Sequence, residues 1–86
     1  MKGDISMHQT KKHLIQINGT KCMLCRKNVG KRITWHHIIP RCEGGDNSYE
    51  NGALLCEKCH FEIVNELLYG TQEYEELMQQ IRKNKK

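Results

Sequence analysis

A small α+β domain, two short antiparallel strands followed by two helices, is what the sequence predicts, and three observations carry it. Residues 31–39 alternate, with Ile33, Trp35, His37 and Ile39 on one face and Thr34, His36 and Ile38 on the other, the period of a strand. After Cys59 the period changes: His60, Ile63, Val64 and Leu67 fall at i, i+3, i+4 and i+7, one stripe of a helix. Tyr74, Leu77, Met78 and Ile81 repeat such a stripe behind Thr71, a residue type that caps helices. With 86 residues, a hydrophobic fraction of 37% and few aromatics, the chain makes one domain with a modest core. Something besides packing is expected to hold it together, and five cysteines are the candidate.

Taken in order, residues 1–20 read as a basic N-terminal arm and a short strand. Residues 1–13 are polar and end in Lys11, Lys12 and His13; His8 and His13 have no partner at ligand spacing and are expected on the surface. Residues 14–17 suit a strand closed by the Asn18-Gly19 turn signal. Pro40 ends the strand of residues 31–39, and residues 41–47 form a loop rich in Gly and Asx. Residues 52–56 suit a second strand, antiparallel to the first across a compact loop. The helix opened by His60 ends at Gly70. Because His60 shares the apolar stripe, it is expected to face the strand pair; alone, it would read as a buried histidine satisfied by backbone. In the last helix Glu73, Glu75 and Glu76 stand near the positive end and Arg82, Lys83, Lys85 and Lys86 near the negative end. Its apolar stripe is expected to pack on the core, with a partner-binding face as the alternative.

Cys22-Met23-Leu24-Cys25 and Cys56-Glu57-Lys58-Cys59 are two pairs of the kind that wrap one tetrahedral metal, with backbone amides aimed at the sulfurs. A lone pair of this spacing is a weak signal; two in so short a chain predict one structural zinc held by Cys22, Cys25, Cys56 and Cys59. A dithiol redox pair would need a larger α/β sheet for which the chain has no room. Cys42 is left over, a loop residue and an oxidation liability. The odd count also fits poorly with a closed disulfide framework, so an intracellular, cytoplasmic setting is expected. No long apolar run and no secretory core sequence argue against a membrane span or an export signal.

The net charge of +4 hides an asymmetry: residues 1–41 carry nine Lys/Arg and one acid, residues 42–86 five and nine. A basic front half suits a polyanion, through counterion release; an ordinary solvated basic surface suits it equally.

Between the cysteine pairs lies the stretch WHHIIPRCEGGDNSYENG. Two imidazoles can hold a divalent cation with positions open for water and a phosphate oxygen, and a third can take a proton near neutral pH. Neighbours on a regular strand face opposite ways, so His36 and His37 meet at one phosphate only if the strand ends or twists there.

The pattern His-His-x-x-Pro, then Gly-Gly, Asn51 and Leu-Cys-x-x-Cys-His, with Cys-x-x-Cys upstream, resembles the HNH endonuclease family over residues 22–64. The resemblance implies a ββα-metal (His-Me finger) core at residues 22–70, followed by the C-terminal helix at 71–86. It implies DNA as substrate, His37 as the general base, His36 as a metal ligand where Asp is common, Asn51 as the brace of the loop whose hydrogen bonds orient His37, and His60 as a metal ligand. It assigns the four cysteines to structural zinc and a second divalent cation, Mg²⁺, Mn²⁺, Ni²⁺ or Zn²⁺, to the histidines. His36 in place of Asp makes the site softer; Gly52 after Asn51 is expected to loosen the loop; Val64, one turn after His60, adds no ligand. A phage or mobile-element setting would fit, with dimerisation or a partner subunit through the C-terminal helix. The alternatives are a non-catalytic zinc-stabilised nucleic-acid-binding module and an interaction protein that uses that helix.

Overall fold

The computed structural model describes residues 6–86, so the first five residues of the expected arm lie outside the described residues. In place of the rest of the arm and the strand at 14–17 stands a single helix, α1 (Met7–Asn18). Its start is a capping box: Ser6 Oγ accepts from the Gln9 amide at 3.1 Å, and Gln9 Oε1 accepts from the Ser6 amide at 3.3 Å. Its end is Gly19 at φ 77°, whose N–H returns to the Ile15 carbonyl at 2.7 Å. The strand expectation followed the β-branched isoleucines of Leu-Ile-Gln-Ile. Thr10, Leu14 and Asn18, four residues apart, are the residues that dock, and that spacing belongs to a helix.

β1 (Thr34–His37) and β2 (Gly52–Leu55) pair antiparallel as a two-stranded sheet, with Thr34 opposite Leu55 and His37 opposite Gly52. β1 is shorter than expected at both ends. Before it, Gly30–Arg32 is a single 3-10 turn. After it the chain leaves the ladder because Asn51 takes over: the Ile38 amide donates to the Asn51 backbone at 2.9 Å, and the Ile39 amide to Asn51 Oδ1 at 2.8 Å.

A regular helix from His60 to Gly70 does not form. The chain coils as a π turn, Cys59–Ile63, followed by a 3-10 turn, Val64–Glu66. The amide of Val64 reaches both the Cys59 and His60 carbonyls. Widening the turn by one residue lets Cys56, Cys59 and His60 face their partners while Val64 enters the core. Phe61 and Ile63 are turned outward in consequence.

α2 (Gln72–Asn84) forms as expected, with Thr71 Oγ1 accepting from the Tyr74 amide at 3.3 Å. Tyr74, Met78 and Ile81 are buried in the chain's own core beside Leu14, Leu54, Leu55 and Val64, and Leu77 packs at its margin. The end of the chain is tied down as well. Asn84 Nδ2 donates to the Met23 carbonyl at 2.8 Å, and Lys85 Nζ donates to the Tyr49 carbonyl and, at 2.7 Å, to that of Gly52.

Candidate metal centre and histidine site

The two cysteine pairs meet. Their four sulfurs lie within 4.8 Å of one another, and Cys25 Sγ stands 3.8 Å from Cys56 Sγ. A tetrahedron with metal–sulfur bonds of about 2.3 Å has edges of about 3.8 Å, so the set has the size of a metal site. Amides aim at the sulfurs: Leu24 and Cys25 donate to Cys22 Sγ at 3.4 and 3.5 Å, Cys59 to Cys56 Sγ at 3.4 Å. Burial pushes the Cys22 thiol up, and the surrounding N–H donors bring it down to about 7. Burial and the neighbouring sulfurs push Cys59 far up. Cys42 is exposed and is no part of this cluster.

β1 divides the histidine pair. Thr34 and His36 face the π turn, where the rings of His36 and His60 lie 5.2 Å apart, nearly perpendicular. Trp35 and His37 face the other way, their rings 5.6 Å apart. β1 ends at His37, so the pair sits at the mouth of the loop formed by residues 38–51.

Hydrogen bonds fix the proton on each ring. Tyr74 donates its hydroxyl to the Ile38 carbonyl at 2.7 Å, so the 2.8 Å contact between its oxygen and His36 Nε2 needs the proton from His36. Thr34 donates to the Leu55 carbonyl at 2.6 Å, so the proton in its 2.9 Å contact with His60 comes from Nδ1. His36 is thus left with a lone pair on Nδ1 and His60 with one on Nε2. Burial, then the charges of His60 and His37, lower His36 to about 4; burial lowers His60 as well. Both are neutral imidazoles near pH 7, the form that binds metal.

His37 differs. The Trp35 indole, a donor only, gives its Nε1–H to His37 Nδ1 at 3.2 Å, so the proton lies on Nε2 and reaches Asn47 Oδ1 at 2.9 Å. Both ring nitrogens are engaged.

Asn51 is buried, and its amide clips the loop shut: Oδ1 accepts from the Ile39 amide, and Nδ2 donates to the Ile39 and Asp46 carbonyls at 3.0 and 2.8 Å. It holds the loop; the side chain on His37 is Asn47. Gly45 makes the closure possible, since a Cβ there would stand 1.7 Å from the Ile39 oxygen. Gly52, expected to loosen the loop, tightens it. The Trp35 ring lies where a Cβ would be, 2.2 Å from that position, with Leu14 at 2.8 Å. Val64 is buried and offers no ligand.

Thr34, Trp35, Asn47 and Tyr74 were not singled out from the sequence as site residues. Asn47 stood in the Asx-rich turn, a visible signal. Tyr74 stood in an apolar stripe, which hides the use of its hydroxyl.

The family model for the HNH endonuclease matches residues 22–66, which hold every cysteine of the cluster, His36, His37, Asn51 and His60. A curated relative, Anaredoxin from Nostoc sp., is 33% identical over 52 residues, spanning 60% of this chain and 67% of its own length.

Proposed function

Since the chain belongs to the HNH endonuclease family, we propose that it is a metal-dependent endonuclease that hydrolyses DNA phosphodiester bonds. The observation that carries this is the His36–His60 pair: two neutral imidazoles 5.2 Å apart, each with its proton turned to a hydroxyl and a lone pair left free. A fold that needed only packing would have no use for two desolvated rings so arranged. The donor set fits a borderline divalent cation such as Mn²⁺, Ni²⁺ or Zn²⁺, with Mg²⁺ the harder alternative. Bound there, such a cation would supply Lewis-acid stabilisation of charge on the phosphate and the leaving oxygen.

The chain's own residues supply the rest. Thr34 and Tyr74 hold the two rings in their tautomers. Asn51 keeps the loop closed, so that His37 and Asn47 stay at its mouth. His37 takes the proton of the attacking water, and for this Trp35 must yield Nδ1 or the ring must turn about Cβ–Cγ. The four cysteines would hold zinc, and a metal there would tie the Cys22–Cys25 pair to the start of the π turn.

The engaged nitrogens of His37 favour a second reading, a zinc-stabilised nucleic-acid-binding module that does not cleave. A plasmid-nicking assay separates the two. Protein stripped of exchangeable metal is supplied with Mg²⁺, Mn²⁺, Ni²⁺ or Zn²⁺ in turn, beside His37→Ala. Nicking with at least one metal that His37→Ala loses by roughly 100-fold or more supports the nuclease. Binding with no nicking under any metal supports the module.

A further inference from the structure

Between α1 and the 3-10 turn Gly30–Arg32 runs a groove of about 420 Å³ with Ile15 and Ile33 in its floor. Lys11, Lys12 and Lys31, together with His8, line it, and no acidic residue does. Residues 6–42 contain eight Lys/Arg and not one Asp or Glu. Among the described residues the ion pair found is Arg32–Glu57, at 3.0 Å, so no described carboxylate pairs with the three lysines. α1 carries no acid at i±3 or i±4 to offset Lys11 and Lys12. Gathering ammonium groups along one groove disfavours the free protein, and a polyanion relieves it.

The groove is also joined to the histidine site. Thr10, the residue before Lys11, donates its hydroxyl to the Asn47 carbonyl at 2.6 Å, and the Asn47 side chain meets His37. The helix bearing the lysines is therefore docked on the mouth of the loop, and a strand lying at His37 has α1 for its neighbour.

We propose that this groove holds the sugar–phosphate backbone of duplex DNA. Lys11, Lys12 and Lys31 face phosphates away from the scissile one, and the deoxyribose carbons lie over Ile15 and Ile33. The inference rests on the nuclease reading for its ligand but names a surface that reading does not need. Such contacts fix position and carry no sequence information.

The test is duplex binding by fluorescence anisotropy without added divalent cation, from 50 to 300 mM NaCl. It compares wild type, Lys11→Gln/Lys12→Gln/Lys31→Gln, Lys12→Gln/Lys31→Gln, and Lys83→Gln on α2. Each phosphate contact contributes about 0.9 to the slope of log K against log salt, so the triple variant should lose about 2.7, the double about 1.8, and Lys83→Gln nothing. Far-UV circular dichroism should be unchanged throughout, since these side chains lie outside the core. Wild-type binding with the same slope in the triple variant overturns the groove and leaves the nuclease reading standing. Wild type that binds no duplex at any salt overturns both.

Discussion

Each of three imidazoles takes its tautomer from a neighbour whose own proton is committed elsewhere or cannot be removed: the Tyr74 hydroxyl, the Thr34 hydroxyl and the Trp35 indole. For His37 the indole competes for the very lone pair that the proposed base needs. Trp35→Phe keeps an aromatic ring at this position and removes the donor, so kcat for nicking should be no lower than wild type. A fall of roughly 100-fold would show instead that the indole holds His37 in its working position. For His36 the sign of the pH dependence is fixed. Its folded value, about 4, lies below the unfolded value of 6.5, so its contribution is complete above pH 6.5 and is lost as pH falls toward 4. That contribution is at most about 3 kcal/mol. Urea midpoints at pH 7.5 and 5 should therefore differ less in His36→Gln than in wild type. An equal difference would remove His36 as the source, because acid release of a metal from the four cysteines would act on both proteins alike.

Elements, more than single residues, decide where the loop stands. β2 begins at Gly52 because Trp35 and Leu14 close over that backbone from β1 and α1, and Lys85 reaches its carbonyl from the end of α2. Gly52→Ala should destabilise by about 1–3 kcal/mol through overpacking, read from the urea midpoint. An unchanged midpoint would mean that the indole moves aside freely. The strand pair, the cysteine knuckles and α2 were legible in the sequence because each has a local period or spacing. α1 was misread because Ile15 and Ile17 have strand propensity, while its deciding interactions, the Ser6–Gln9 box and the docking of Leu14, are partly tertiary. The π turn had no sequence signal, because it arises from three side chains that must satisfy partners in different places. Asn51 was legible as the brace of the loop, while the particular groups its amide meets, on Ile39 and Asp46, depend on how the loop folds back.

At the scale of the molecule, the two cysteine pairs bring the segment after α1 against the segment that bears His60. Cys56→Ser should release the metal and with it the cooperative unfolding transition, whereas Cys42→Ser, at an exposed thiol outside the cluster, should melt as wild type does. A Cys56→Ser protein with wild-type melting would show that the core stands without the clamp. α2 packs its apolar face on this core, and the surface proposed above for a polyanion is the basic groove beside α1. The central claim is that His36 and His60 share one exchangeable cation. The most direct measurement is calorimetric titration of Ni²⁺ into zinc-loaded wild type and His60→Ala. Wild type should bind one more equivalent than the variant, or bind it at least tenfold more tightly, with His8 and His13 acting equally in both. Superimposable isotherms would contradict the account.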